Sequence, residues 1–247
     1  MVKLSKLVLV VVIMFILAFP ANVALGYHFP ITISNPLPSL DDSFGWAVSI
    51  DSGKILVGST LGDDSGVVDA GNAYLFDATT GALLHTLNNP TPVLNDVFGY
   101  SVSLSGNGAL IGAYGDDTGA ENAGSAYLFD ATTGALLRTF NNPTPVQNDS
   151  MGFSVSYSGN NVLLGAPLDD TGFQNAGTVY LFDATTGALL RTFNNPTPAS
   201  NDYFGYSVSI SGNSILIGAY QDDAGATDAG SAYLFDATTG ALLRTFN

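Results

Sequence analysis

The chain has 247 residues, with 6 Lys and Arg against 21 Asp and Glu, a formal net charge of −15 and no cysteine. That balance repels nucleic acid and anionic lipid, and the absence of thiols excludes disulfide staples, a cysteine nucleophile and thiolate metal sites. With 46% hydrophobic residues in regular alternation, the chain is also no disordered acidic polymer.

Residues 1–26 read as a targeting segment. Lys3 and Lys6 form a basic start, Leu7–Phe19 an apolar core, and Ala24-Leu25-Gly26 a small-x-small cleavage site, so the mature chain is expected to begin at Tyr27. The rival reading is an uncleaved anchor over Leu7–Leu25, interrupted by Pro20 and Asn22. Cleavage removes two Lys and no acid, which moves the net charge from −15 to −17.

Residues 27–40 then give an N-terminal strand and connector. Ile31–Ser34 and the following Asn35-Pro36-Leu37-Pro38 align with Arg138–Asn141 and Asn142-Pro143-Thr144-Pro145.

From residue 41 the chain repeats itself four times, over 41–92, 93–145, 146–198 and 199–247. The YLFD tetrads begin at Tyr74, Tyr127, Tyr180 and Tyr233, and the repeats open at Phe44, Phe98, Met151 and Phe204. A period near fifty marks an array of one supersecondary unit. In the last copy, Tyr206–Ser211, Ser214–Tyr220, Ser231–Asp236 and Ala241–Phe246 read as strands, separated by Gly212-Asn213, a long Gly- and Asp-rich loop, and Ala-Thr-Thr-Gly. No stretch carries helical periodicity.

Strand alternation puts Tyr206, Val208 and Ile210 on one face and serines on the other. The large face of one unit can pack on the small face of the next. The expected fold is all-β, a propeller of four four-stranded antiparallel blades, in preference to a solenoid.

The motif FGYSVSISGN…ILIGAY…AGSAYLFD resembles the FG-GAP repeat, best known from the seven-bladed propeller of integrin alpha subunits. Phe44-Gly45, Phe98-Gly99 and Phe204-Gly205 carry its opening, and Met151-Gly152 departs conservatively. Gly165-Ala166-Pro167 is a literal Gly-Ala-Pro; Gly112-Ala113-Tyr114 and Gly218-Ala219-Tyr220 are close, and Gly58-Ser59-Thr60 is the weakest. The resemblance implies an extracellular, non-enzymatic recognition or adhesion module for protein or glycan. The family's DxDxDG-type calcium loop, placed between the first two strands, is not matched by Asp51-Ser52-Gly53 or its counterparts.

Two kinds of acid recur. Asp77, Asp130, Asp183 and Asp236 precede Ala-Thr-Thr-Gly and read as turn formers. The pairs Asp63-Asp64, Asp116-Asp117, Asp169-Asp170 and Asp222-Asp223 lie in the long loop, on the same expected face as Asp42, Asp96, Asp149 and Asp202. These pairs are the candidate ligand or cation sites. Hard oxygens would select Ca²⁺, and the alternative is that they only form turns and solubilise.

Tyr114 and Tyr220, with Pro167 at the equivalent place, adjoin the pairs, and Asn148-Asp149-Ser150 fits a glycosylation sequon. His28 and His85 share no repeat position, and no nucleophile elbow is present.

The expected function is an exported recognition scaffold, with a structural envelope component as the alternative. Because Ile31–Ser34 matches a fourth strand that has no blade of its own, the four blades are expected to form an open arc or a truncated part of a larger propeller, whose end faces favour self-association. The alternative is a complete four-bladed ring with Ile31–Ser34 spare against an edge.

Overall fold

The computed structural model describes residues 30–63 and 66–247. The proposed targeting segment, Tyr27, His28 and Asp64 lie outside them.

Each repeat folds into one antiparallel sheet with its strands side by side in chain order. The first blade holds β1 (Phe44–Asp51), β2 (Lys54–Ser59), β3 (Asn72–Asp77) and β4 (Leu83–Asn88). The second holds β5 (Ser101–Ser105), β6 (Gly108–Ala113), β7 (Ser125–Asp130) and β8 (Leu136–Asn141). The third holds β9 (Ser154–Ser158), β10 (Asn161–Ala166), β11 (Thr178–Asp183) and β12 (Leu189–Asn194). The fourth holds β13 (Ser207–Ser211), β14 (Ser214–Ala219), β15 (Ser231–Asp236) and β16 (Leu242–Phe246). In every blade the third and fourth strands slip register in the middle of Leu-Phe, as at Leu75/Phe76 and Leu234/Phe235.

The blades pack face to face, and the same residues recur at each seam. Leu56, Ala73, Leu75 and Leu87 of blade one meet Phe98, Leu104, Ile111, Tyr127 and Phe129 of blade two. Leu110, Ala126, Leu128 and Phe140 meet blade three, and Leu163, Val179, Leu181 and Phe193 meet blade four. The alternation of the strands supplies both faces from one segment: in β7, Tyr127 and Phe129 look back while Ala126 and Leu128 look forward.

Glycine sets the closeness of the seams. Gly99 holds φ at +91°, and a Cβ on Gly58 would overlap the Gly99 carbonyl. Gly112 and Gly165 stand in the same relation to Gly152 and Gly205. One seam carries a private feature: a Cβ on Gly108 would strike the ring of Tyr157, so the missing side chain of blade two makes room for the tyrosine of blade three.

Serines stitch the inner strands together. Leu104 N–H donates to Ser49 Oγ at 2.9 Å, Tyr157 N–H to Ser103 Oγ at 3.0 Å and Ile210 N–H to Ser156 Oγ at 3.1 Å.

The four sheets do not close into a ring. Inner strands β1, β5, β9 and β13 follow one another, and β13 makes no comparable contact with β1. Ile50 is therefore 70% exposed, whereas its counterparts Leu104 and Ile210 are 7% and 6% exposed, and Val48 is 67% exposed where Val102, Val155 and Val208 are partly buried. Phe246 is likewise open where Phe140 and Phe193 are buried.

No strand forms over Ile31–Ser34, which corrects the expectation. A strand needs a neighbour to satisfy its amides, and no described strand pairs with this segment. Ile33 nevertheless packs on Val57, Tyr74, Phe76 and Phe44, the place that Leu87, Phe140 and Phe193 take on the later blades.

Candidate functional site

The connector between blades and the long loop after the second strand meet at one end of each blade. In blades two to four their side chains build the same buried corner.

Asp96, 0% exposed, accepts from Asn89 Nδ2 at 2.7 Å and Val93 N–H at 2.7 Å, both at Oδ2. Asp149 and Asp202 repeat this with Asn142 and Val146, and with Asn195 and Ala199. Asp116, also buried, accepts from Thr118 N–H at 2.8 Å and from the Tyr127 hydroxyl. Tyr180 donates to Asp169 at 2.9 Å and Tyr233 to Asp222. Thr91, Thr144 and Thr197 complete the corner, with Oγ1 2.9, 3.0 and 2.8 Å from the respective tyrosine oxygens.

The electrostatics are unfavourable to full ionisation. Burial pushes Asp96 and Asp149 up to about 6, and the carboxylates of the adjacent loop pair add to the rise. Asp202 is raised for the same reasons. Burial beside these acids also lifts the Tyr127 and Tyr180 hydroxyls well above tyrosine's ordinary range, and Tyr233 to about 12. The Oδ1 atoms of Asp96 and Asp202 are buried with no hydrogen-bond partner. In blade three the corner opens to a cleft of about 220 Å³ lined by Thr144, Asp149, Asp169, Asp170 and Thr171.

The eight acids of the loop pairs therefore divide. Asp116, Asp169 and Asp222 are buried inside the corner instead of forming an open ring of carboxylates, because the tyrosine hydroxyl and a loop amide hold them there. Asp117, Asp170 and Asp223 are exposed, and each accepts one loop amide, from Asn122, Asn175 and Asp228, at 2.8 Å.

Blade one departs from this scheme. Asp63 accepts from Asp69 N–H, which is the role of Asp117, and Gly62 O accepts from Gly71 N–H, which is the backbone role of Asp116. Gly62 thus replaces the buried acid, and Leu37 stands where the other corners have threonine. Asp42, unlike its counterparts, is lowered: burial opposes its charge, but the hydrogen bonds from Ser39 and Asn35 outweigh it. Among the described residues, no group of three or more acids and histidines is arranged to hold a metal ion.

A row of aromatic rings runs past the same end. Trp46, Tyr100, Phe153 and Tyr206, each the residue after a repeat-opening Phe-Gly or Met-Gly, lie at successive centroid distances of 5.4, 4.9 and 4.9 Å. Tyr114 packs on Tyr100 at 4.6 Å and Tyr220 on Tyr206 at 4.5 Å. Trp46, Tyr206 and Tyr220 remain exposed. The row was within reach of the sequence, since an aromatic follows the opening glycine in every copy.

Basic side chains gather at the opposite end. Lys54 follows the turn from β1, and Arg138 and Arg191 reach from fourth strands to the Thr185 and Ala237 carbonyls of the next blade's far turn. That end also holds Asp77, Asp130, Asp183 and Asp236, whose carboxyls are kept low by hydrogen bonds from the threonines of Ala-Thr-Thr-Gly.

Four Phe-Gly or Met-Gly openings in register, each seated on the blade before or open for one, agree with the repeat profile of one family. The FG-GAP repeat profile matches residues 39–76, 93–129, 145–182 and 197–235. The chain belongs to the FG-GAP repeat family. No curated protein matches it in sequence. Among solved structures it is similar to the crystal structure of the computationally designed Ika4 protein, with a TM-score of 0.52 and 17% identity over 84% of this chain and 99% of that one. The computationally designed Ika8 protein aligns with a TM-score of 0.45 and 18% identity, over 81% of this chain and 60% of that one. At such identities the Ika4 likeness speaks for the fold alone.

Proposed function

We propose that this FG-GAP protein is an exported, non-enzymatic recognition scaffold that binds an extracellular protein or glycan through the loop end of its blades. The observation that carries the reading is the aromatic row Trp46–Tyr100–Phe153–Tyr206. Its outer members Trp46 and Tyr206 stay exposed, whereas Phe98, Tyr127, Tyr180, Phe204 and Tyr233 are buried between blades. Rigid aromatic surface in a polar surround is what binding hot spots are made of, and stacking on sugar rings uses the same groups. Membership of the FG-GAP family supports an extracellular setting and a binding role.

The test is a protein and glycan array probed with the parent protein and with Trp46→Ala and Tyr206→Ala. Specific binders lost in both variants support the reading; an array without binders, or binders indifferent to both changes, removes it. A structural envelope role is the second reading, favoured by the open end faces.

A further inference from the structure

The two end faces of the arc are complementary halves of the seam that the chain already makes three times. We infer that a second copy of this chain docks head to tail, with its blade one against blade four of the first.

The forward side of blade four has every feature of the forward sides that are occupied. Leu216 and Phe246 hold the places of Leu56 and Leu87 and are exposed. Ser209, the counterpart of Ser49, Ser103 and Ser156, is exposed too, while those three each accept an amide from the next inner strand. Ser101 Oγ and Ser154 Oγ each donate at 2.7 Å to the carbonyl of the next blade's opening glycine, and their counterpart Ser207 is exposed. A groove of about 560 Å³ lies there, lined in part by Ser207, Gly218, Gly230 and Phe246. In the occupied seams, Gly177 meets the Phe204 backbone and Gly165 the Gly205 carbonyl; in blade four, Gly230 and Gly218 meet only atoms of their own blade among the described residues. The groove is a vacant seat for a Phe-Gly opening.

Blade one supplies that opening. Phe44-Gly45 precedes β1, Gly45 holds φ at +92° as Gly99 and Gly205 do, and nothing lies within 4 Å of where its Cβ would be. Ile50 is the exposed counterpart of Leu104 and Ile210, which are buried in the other seams, and Val48 that of the partly buried Val102, Val155 and Val208.

The occupant is a second copy because the seams are nearly identical. Three such seams do not return β13 to β1. The fourth face therefore looks past the chain's own first blade, and a heterologous contact that continues the series of seams joins arc to arc. One adjustment is required. Ile33 already covers Phe76 where a fourth-strand residue would sit. The new seam is thus carried by β13–β15, while Phe246, on a strand exposed throughout, shifts aside.

Sedimentation of the purified protein across a concentration series tests this. Ile50→Arg blocks one face and Ser209→Arg the other; both sites are exposed, so neither change disturbs a monomer. Association is expected in the parent and should weaken by about tenfold or more in each variant. An equimolar mixture of the two variants should recover a dimer, because one intact head still meets one intact tail. Leu94→Arg, on an exposed connector position, should leave association unchanged. A parent that stays monomeric, or pairing that ignores both face variants, or a mixture that fails to recover, overturns the inference.

Discussion

The Tyr180 hydroxyl donates to the Asp169 carboxylate at 2.9 Å, inside a blade where both side chains are buried. The contact ties the third strand to the loop that leaves the second, and Thr144 brings in the connector from the preceding blade. Three segments of the chain, a connector, a loop and a strand, are thereby pinned by one phenol. Tyr180→Phe keeps the ring and deletes only the donor, leaving Asp169 short of one partner. The expected loss is about 1–3 kcal/mol in denaturant unfolding. A variant as stable as the parent would mean that water replaces the hydroxyl at no cost.

Phe204 is fully buried, packed on Tyr233 at 5.7 Å and on Phe235 at 6.2 Å. Phe204→Ala empties a large aromatic site and should cost about 3–5 kcal/mol by the same measurement. A loss below about 1 kcal/mol would show that the seam relaxes around the gap.

Stability should depend on pH through the buried connector acids. The native pKa of Asp96 and Asp149 is about 6, above the ordinary 3.8, so the folded state binds these protons more tightly than the unfolded chain. Their contribution is therefore greatest below about pH 4, falls as pH rises through about 6, and is flat beyond. Asp96→Asn with Asp149→Asn should raise the melting temperature at pH 7.5 and flatten the decline between pH 4.5 and 7. Identical slopes in parent and variant would rule this assignment out.

The loop acids bear on calcium. Asp116 and Asp169 each accept a tyrosine hydroxyl and a loop amide, and Asp117 and Asp170 accept a further amide. With so many oxygens engaged internally, millimolar Ca²⁺ and chelator should leave the melting temperature alike. A rise with Ca²⁺ that vanishes in Asp117→Asn with Asp170→Asn would instead assign coordination to the exposed acids, since a ligand of the native state stabilises it.

Much of this architecture is legible in the residues, and the failures are local. Repeat period and strand alternation suffice to place all four sheets, because each strand carries its own two-sided pattern, as Ala126-Tyr127-Leu128-Phe129 shows. Open ends also follow from the pattern. The corner does not. That Asp116 turns inward and Asp117 outward depends on a tyrosine eleven residues later whose hydroxyl reaches back, a contact invisible to spacing alone. The loop of blade one misleads for a related reason: its Asp-Asp pair aligns by sequence, yet Gly62 and Asp63 take the backbone and side-chain roles of the other pairs. Ile31–Ser34 reads as a strand from its match to Arg138–Asn141, but pairing needs a neighbour that such a match cannot supply.

The fit of Tyr157 over Gly108 has a consequence for how the chain assembles. Four near-copies of one blade are interchangeable docking partners, and during folding a blade could settle on the wrong predecessor, the hazard that attends repeat arrays. At the position of Gly108 the other blades carry Lys54, Asn161 and Ser214, none of which leaves the same room. The tyrosine and the glycine thus act as an address, written once, that tells blade three which neighbour is its own.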